Sequence, residues 1–305
     1  MKILVVGAGA IGGYFGGRLL EKGEDVTFLV RENRKKQLEK TGLKVESVNG
    51  DFELTPRLLL ASQNQEKFDV IIISTKSYQL NQAIKDVRLH LEDDGMILPL
   101  LNGISHMDEL IENFGEDNVI GGLCFIESTL NEYGTIVQTS PIHQLVFGER
   151  TGESTPRIER LKSAFEDTKA DFILSDHINQ DMWHKYLFIT VMSGITSLMN
   201  SAIGPIRELE SGQRIILTFL NEITEVMKKI NAPIKEDIAD IQFSRINEMN
   251  AGMKSSMQRD MEKSVPIEIE HLQGYLLKKA KEHHIEVPIL ETIYTKLTLY
   301  EQNRK

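Results

Sequence analysis

The chain has 305 residues, 41% of them hydrophobic and 26% charged, with a formal net charge of −10. This length admits two domains with well-filled cores, and the acidic balance argues against a nucleic-acid or anionic-membrane surface. The single cysteine, Cys124, excludes an intrachain disulfide and a cysteine-based zinc cluster. One thiol fits a reducing cytoplasm. The apolar run at the N-terminus is too short for a signal-peptide core, and no later uncharged run reaches ~18 residues, so a soluble, unprocessed, cytoplasmic protein is expected.

Along the first half, short β-branched runs alternate with amphipathic segments, the pattern of an α/β domain with a mostly parallel sheet. "KILVV", "DVTFLV", "DVIIIST" and "GMILPL" read as strands. The segments near Ile11 to Glu21, Asn33 to Lys40 and Leu80 to Leu91 read as crossover helices. From Val119 the run alternates, with turn signals at Asn131–Gly134 and Ser140–Pro141, which predicts an antiparallel meander on the sheet edge. "RIERLKSAFEDT" and "DFILS" add one more helix and strand, closing an N-terminal domain over residues 1–176.

The remainder, 177–305, shows no strand pattern and reads as all-helical. Gln180 to Met199 is apolar almost all the way round, and Lys185 sits inside it. An ammonium in such surroundings must lose its charge, find a partner, or reach water along its own stem. Leu209, Ile216, Phe219, Leu220, Ile223, Val226, Met227 and Ile230 follow helical spacing, which predicts one helix from Ile206 to Asn231, broken by Ala232–Pro233. Further helices are expected from Ile234 to Asn250, Ile267 to His283 and Pro288 onward, proline suiting a first helical position. With no Gly/Ser linker, the domains should pack firmly around a cleft. Apolar helices in the second domain are compatible with a homodimer.

"GAGAIG" follows a strand and opens a helix, the context in which this glycine pattern binds dinucleotides. Gly7 permits the tight turn, Gly9 lets the backbone approach a pyrophosphate, and Gly12 allows close packing of helix on strand. With Ala10 and Ile11 they form the candidate cofactor loop, facing phosphates with free N–H groups. The second strand ends at Arg31 where an acidic residue would favour NAD. A guanidinium there can hold the 2′-phosphate of NADP, so NADPH is the expected cofactor. Lys76, past the third strand, and Asn102, past the fourth, lie at the carboxyl ends of strands, where open α/β sheets bind ligands. No metal-ligand spacing is visible.

These residues together resemble the ketopantoate reductase (2-dehydropantoate 2-reductase) family over nearly the full length. The resemblance runs through the glycine loop, Arg31, the "TK" of Lys76 and the "NG" of Asn102. It continues in the "W-x-K" of Trp183 and Lys185, the "SSM-x-x-D" of Ser255 to Asp260, and "EIEHLQGYLLKKAKEHHIEVP" from Glu268 to Pro288. It implies a Rossmann-type dinucleotide-binding domain followed by a helical substrate domain. It also implies NADPH-dependent reduction of a small α-keto acid, in the family ketopantoate to pantoate for coenzyme A synthesis. Lys185 matches the general acid, Glu268 the acidic residue that holds substrate, and Ser256 a serine on the substrate carboxylate. Asn102 matches the asparagine beside nicotinamide and substrate, and Lys76 a cofactor-site lysine. Lys185, Glu268, Ser256 and Asn102 are thus expected at one interdomain cleft.

The pocket asparagines of the family appear here as Ile189, Ser193 and Ile203, and Met253 stands three residues before Ser256 in place of another. Of these, only Ser193 keeps a polar group toward substrate. Two alternatives follow: a reductase of a less polar α-keto acid, or a non-catalytic protein that senses a dinucleotide.

Overall fold

The computed structural model describes residues 1–63 and 66–304. They form two compact units: Met1–Leu101 with His106–Ile178, and Asn102–Ser105 with the chain from Asn179 onward. The first is built on parallel strands and the second on helices, as the α/β-plus-helical reading expects.

In the first unit β1 (Lys2–Val6) leads through a glycine turn to α1 (Gly12–Lys22) and β2 (Asp25–Leu29), then α2 (Glu32–Thr41). The chain next makes three short strands that periodicity did not reveal: β3 (Leu43–Ser47), β4 (Phe52–Leu54) and β5 (Arg57–Leu59). β6 (Phe68–Ile73), α3 (Leu80–Val87) and β7 (Leu91–Pro99) complete a five-stranded sheet in the order β5-β2-β1-β6-β7, parallel throughout. Ile3, Leu4, Val5, Val70, Ile71, Ile72 and Ile73 are all wholly buried, because helices or a second sheet cover both faces of these strands. β1 pairs with β2 on one side and β6 on the other, so the connections diverge at its carboxyl end and leave a crevice there.

After α4 (His106–Phe114), β8 (Gly121–Leu130) and β9 (Ile136–Gly148) pair antiparallel. They do not extend the first sheet beyond a bridge between Ile97 and Val119. They belong to a second sheet, in which β9 also pairs in parallel with β3 through Ile136–Gln138 and with β10 (Asp171–Leu174) through Gln144–Phe147. The expected break at Ser140–Pro141 is absorbed inside β9. There the register jumps from Ile126↔His143 to Ser128↔Gln138, and the extra residues bulge out, which accommodates a proline without a ladder N–H. α1 lies against both sheets: Gly13 abuts Ile136 of one, and Gly16 abuts Val5 and Phe28 of the other. α5 (Pro156–Phe165), capped by the Thr155 hydroxyl, packs Phe165 on Phe147 and Phe172.

The second unit begins in α6 (Ile178–Met199). The helix expected from Ile206 to Asn231 is two, α7 (Ile203–Arg207) and α8 (Glu210–Lys229). Helical spacing of apolar residues survives the corner, but Leu209 there is extended and 60% exposed. Next come α9 (Ile238–Glu248) and the short α10 (Ser256–Glu262), the latter not foreseen. From Ile269 the chain is helical through α11 (Tyr275–Glu282), but Glu270–Gly274 is π-helical, with the Tyr275 N–H donating to the Glu270 carbonyl. α12 (Pro288–Asn303) starts at its proline, and the Glu222 carboxylate accepts from the Ile289 and Leu290 amides. No helix among the described residues is long and apolar enough to cross a membrane.

Candidate active site

The cofactor loop is backbone held by a few side chains. Gly7 has φ +91°, the left-handed region that favours glycine, and its N–H donates to the Leu29 carbonyl. A Cβ on Gly12 would lie 2.2 Å from Ser74 Oγ and 2.4 Å from the Gly7 carbonyl oxygen, whereas one on Gly9 would meet nothing within 4 Å. Gly12 is therefore needed for packing, while Gly9 faces open space into which a phosphate can come. Ile11, the residue before α1, offers no side-chain cap, and of the first helical amides that of Gly13 is taken by the Gly9 carbonyl. Ser128 Oγ donates to the Ala10 carbonyl and Ser74 Oγ to that of Val6.

Arg34 is part of this scaffold: its Nε donates to the Ala8 carbonyl and its Nη1 to Gln37 and the Gly134 carbonyl. Burial pushes its pKa down. Lys35 and Lys36 lie near Glu39 and Glu32, one helical turn away. Arg31 differs from these neighbours. It is exposed just before α2, and no hydrogen bond or ion pair engages its guanidinium among the described residues. Lys76 is half-buried beyond β6. Beside it Thr75, which periodicity gave no reason to select, keeps a buried hydroxyl without a partner among the described residues, and its methyl is 4.0 Å from where a Gly7 Cβ would stand. The turn, the open Gly9 and the orphaned hydroxyl fit a dinucleotide.

In the helical unit Lys185 is only 7% exposed. The next residue, Tyr186, is wholly enclosed, donates from its hydroxyl to the Leu272 carbonyl at 2.5 Å, and has its pKa pushed far up by burial. Two turns on, Ser193 donates to the Thr190 carbonyl and accepts from Gln273 Nε2 at 2.8 Å. α6 is thus docked twice on the π-helical turn, which starts two residues after Glu268, itself 9% exposed. Near the end of α6, the Thr196 and Ser255 hydroxyls bond at 2.8 Å, and Ser255 caps α10 by accepting from the Gln258 amide. This sets Ser256 exposed at the start of α10.

Asn102 also belongs to this unit, in the turn Asn102–Ser105. His271, which the sequence reading passed over, sits against it. Its Nδ1 is 2.7 Å from Ser105 Oγ, and its ring bonds the Asn102 backbone carbonyl and senses the Glu268 charge. Burial lowers the His271 pKa, and those two groups oppose the shift. Asn102, Glu268, His271 and, through Tyr186, the helix of Lys185 therefore come together, with Ser193 further along α6 and Ser256 at the start of α10. Two of the departures also meet: the Ile203 N–H donates to the Met253 carbonyl. The glycine loop, Arg31 and Lys76 belong to the other unit.

A parallel sheet headed by a glycine turn, followed by a helical unit with a buried lysine, is the architecture of a two-unit dehydrogenase. More narrowly, the chain belongs to the ketopantoate reductase family of oxidoreductases. Residues 3–152 match Ketopantoate reductase PanE/ApbA, and residues 177–301 match Ketopantoate reductase PanE/ApbA C terminal. It is 46% identical, over all of both chains, to the uncharacterized oxidoreductase YkpB of Bacillus subtilis. Among solved structures it is similar to 2-dehydropantoate 2-reductase from Geobacter metallireducens (26% identity, TM-score 0.88, covering 98% of this chain and 99% of that one). It shares its fold with a D-mandelate dehydrogenase solved with NADH and anilino(oxo)acetate (21% identity, TM-score 0.89, 99% of both chains).

Proposed function

We propose that this protein is an NADPH-dependent α-keto acid reductase that converts 2-dehydropantoate to pantoate in pantothenate and coenzyme A synthesis. The observation that carries this reading is the burial of Lys185 on a helix docked against the segment of Glu268. A nicotinamide cofactor, when bound at the glycine turn, would supply the hydride. The hydride adds to the carbonyl carbon, so the carbonyl oxygen keeps the electron pair of the broken π bond, becomes an alkoxide and needs a proton. Lys185 hydrogen-bonds that oxygen, stabilises the developing charge and delivers the proton. Asn102 orients the carbonyl with its amide, Glu268 holds a polar group of the substrate, and Ser256 takes the carboxylate. Arg31, exposed and without an ion pair among the described residues, reads the 2′-phosphate, and Lys76 supports the cofactor.

A second reading, reduction of a less polar α-keto acid, is favoured by the apolar side chains of Ile189, Ile203 and Met253 where the family pattern has asparagines. A substrate with an apolar group, as in the anilino(oxo)acetate of the D-mandelate dehydrogenase structure, would suit those side chains. NADPH oxidation over a panel of keto acids tests both. An advantage of 2-dehydropantoate over 2-ketoisovalerate of ~10⁴-fold in kcat/KM marks a pocket built for a hydroxyl, and ~10²-fold or less marks an apolar one. Oxidation of NADPH with none of them would leave the dinucleotide-sensing alternative standing and the reductase reading overturned.

A further inference from the structure

The turn between β7 and α4 is gripped by a single side chain. The hydroxyl of Ser105 lies 2.7 Å from His271 Nδ1, and the ring bonds the Asn102 carbonyl. Gly103, at φ +84°, lies so close that a Cβ there would stand 2.9 Å from His271 Cδ2 and 3.1 Å from its carbonyl oxygen. Three of the four turn residues therefore meet one imidazole. A neutral ring satisfies both polar contacts at once, one nitrogen donating to the carbonyl and the other accepting from the hydroxyl. A residue present only to fill space would need neither bond. The π-helical turn that carries His271 is also unusual, since such turns re-aim side chains away from the ordinary helical spacing.

We propose that His271 is the positioning residue for Asn102: by fixing the turn at Asn102 and at Ser105, it sets the direction in which the Asn102 amide is presented to the substrate carbonyl. This rests on the reductase reading above. A displacement of about 1 Å in a reacting geometry can cost ~10²-fold in rate, so a loosened turn should be visible in kcat.

The test uses His271→Phe, which keeps a ring and loses both bonds, and His271→Asn, which keeps a polar group near the Nδ1 position. With the best keto acid, His271→Phe should lower kcat by ~10–100-fold, leave the NADPH Kd measured by cofactor fluorescence unchanged, and be partly rescued in His271→Asn. Because His271 acts through Asn102, the double variant His271→Phe/Asn102→Ala should be no slower than Asn102→Ala alone. Full kcat in His271→Phe, or losses that multiply in the double variant, would overturn the proposal. If circular dichroism shows His271→Phe unfolded, His271→Asn and Ser105→Ala replace it in the same cycle. If the unaltered protein reduces no keto acid, the reductase reading fails by itself, and the positioning role is read from amide hydrogen exchange. His271→Phe should then speed exchange across residues 102–105 by ~10-fold or more with α6 unchanged, and equal rates would overturn it.

Discussion

In the sheet unit the candidate site is mostly backbone: a left-handed glycine, an open glycine and the amides at the start of α1, braced by Arg34, Ser74 and Ser128. In the helical unit it is side chains, drawn from α6, the turn at Asn102, the π-helical segment and the start of α10. Backbone donors serve any dinucleotide, so that end defines a broad class. On the proposed function, the buried lysine and its neighbours would have to match one substrate, so specificity would rest on the helical unit. Substitutions in the two units should accordingly separate cofactor binding from chemistry.

The largest effect should come from Lys185. Lys185→Ala removes the proposed proton donor and should lower kcat by ~10²–10⁴-fold with the NADPH Kd unchanged. Steady-state and single-turnover rates check this, and a variant within ~3-fold of the parent kcat would remove Lys185 from the chemistry. The complementary substitution is Arg31→Ala. Charge-assisted hydrogen bonds contribute ~1.5–3 kcal/mol, so the preference for NADPH over NADH should shrink by ~10–100-fold, with kcat at saturating cofactor retained. Equal Kd values for the two cofactors in the unaltered protein would refute the assignment of Arg31.

The two glycines sharpen the contrast within the sheet unit. Gly12→Ala drives a methyl into Ser74 and the Gly7 carbonyl, and overpacking of this kind costs ~1–3 kcal/mol, more where backbone must move. Its urea midpoint should fall. Gly9→Ala meets no atom of the protein, so its midpoint should hold while dinucleotide affinity drops. Equal melting of the two variants would show that the loop relaxes freely.

The same contrast governs what could be read from sequence. The strands at Lys2–Val6 and Phe68–Ile73 were legible because continuous β-branched runs signal burial on both faces. Lys185 was legible because a charge stands out on an apolar helix. Ser140–Pro141 misled because a bulge and a turn use the same residues, and Ile206–Asn231 misled because apolar spacing continued through the corner at Leu209. The π-helical turn has no composition of its own, so nothing pointed to His271 or to the Gln273–Ser193 bond. Contacts made by chain segments far apart in sequence decide those positions.

The smallest effect expected is on stability against pH. His143 in the sheet unit, and His184 and His271 in the helical unit, all have pKa values held below the ordinary 6.5, burial being the largest cause in each case. Nearby carboxylates oppose the shift: Asp171 for His143, Asp181 and Asp237 for His184, and Glu268 for His271. With the folded pKa below the unfolded one, the unfolded chain takes up protons that the folded chain refuses as pH drops below 6.5. Stability from these residues is then complete above 6.5 and is lost through the window beneath it, down to the folded pKa values. Glu21 and Glu149, lowered from 4.5, are lost the same way only at more acid pH. Glu109 and Glu222, raised by burial, act in the opposite sense above 4.5. Urea midpoints at pH about 7.5 and about 5.8 isolate the histidine window, and the midpoint should be lower at the acid value. His184→Gln should flatten that dependence, since it removes one of the three groups without adding a charge. A midpoint that stayed constant or rose on acidification would mean that the carboxylates, not burial, set these histidines, and the helical unit would then carry no excess sensitivity to acid.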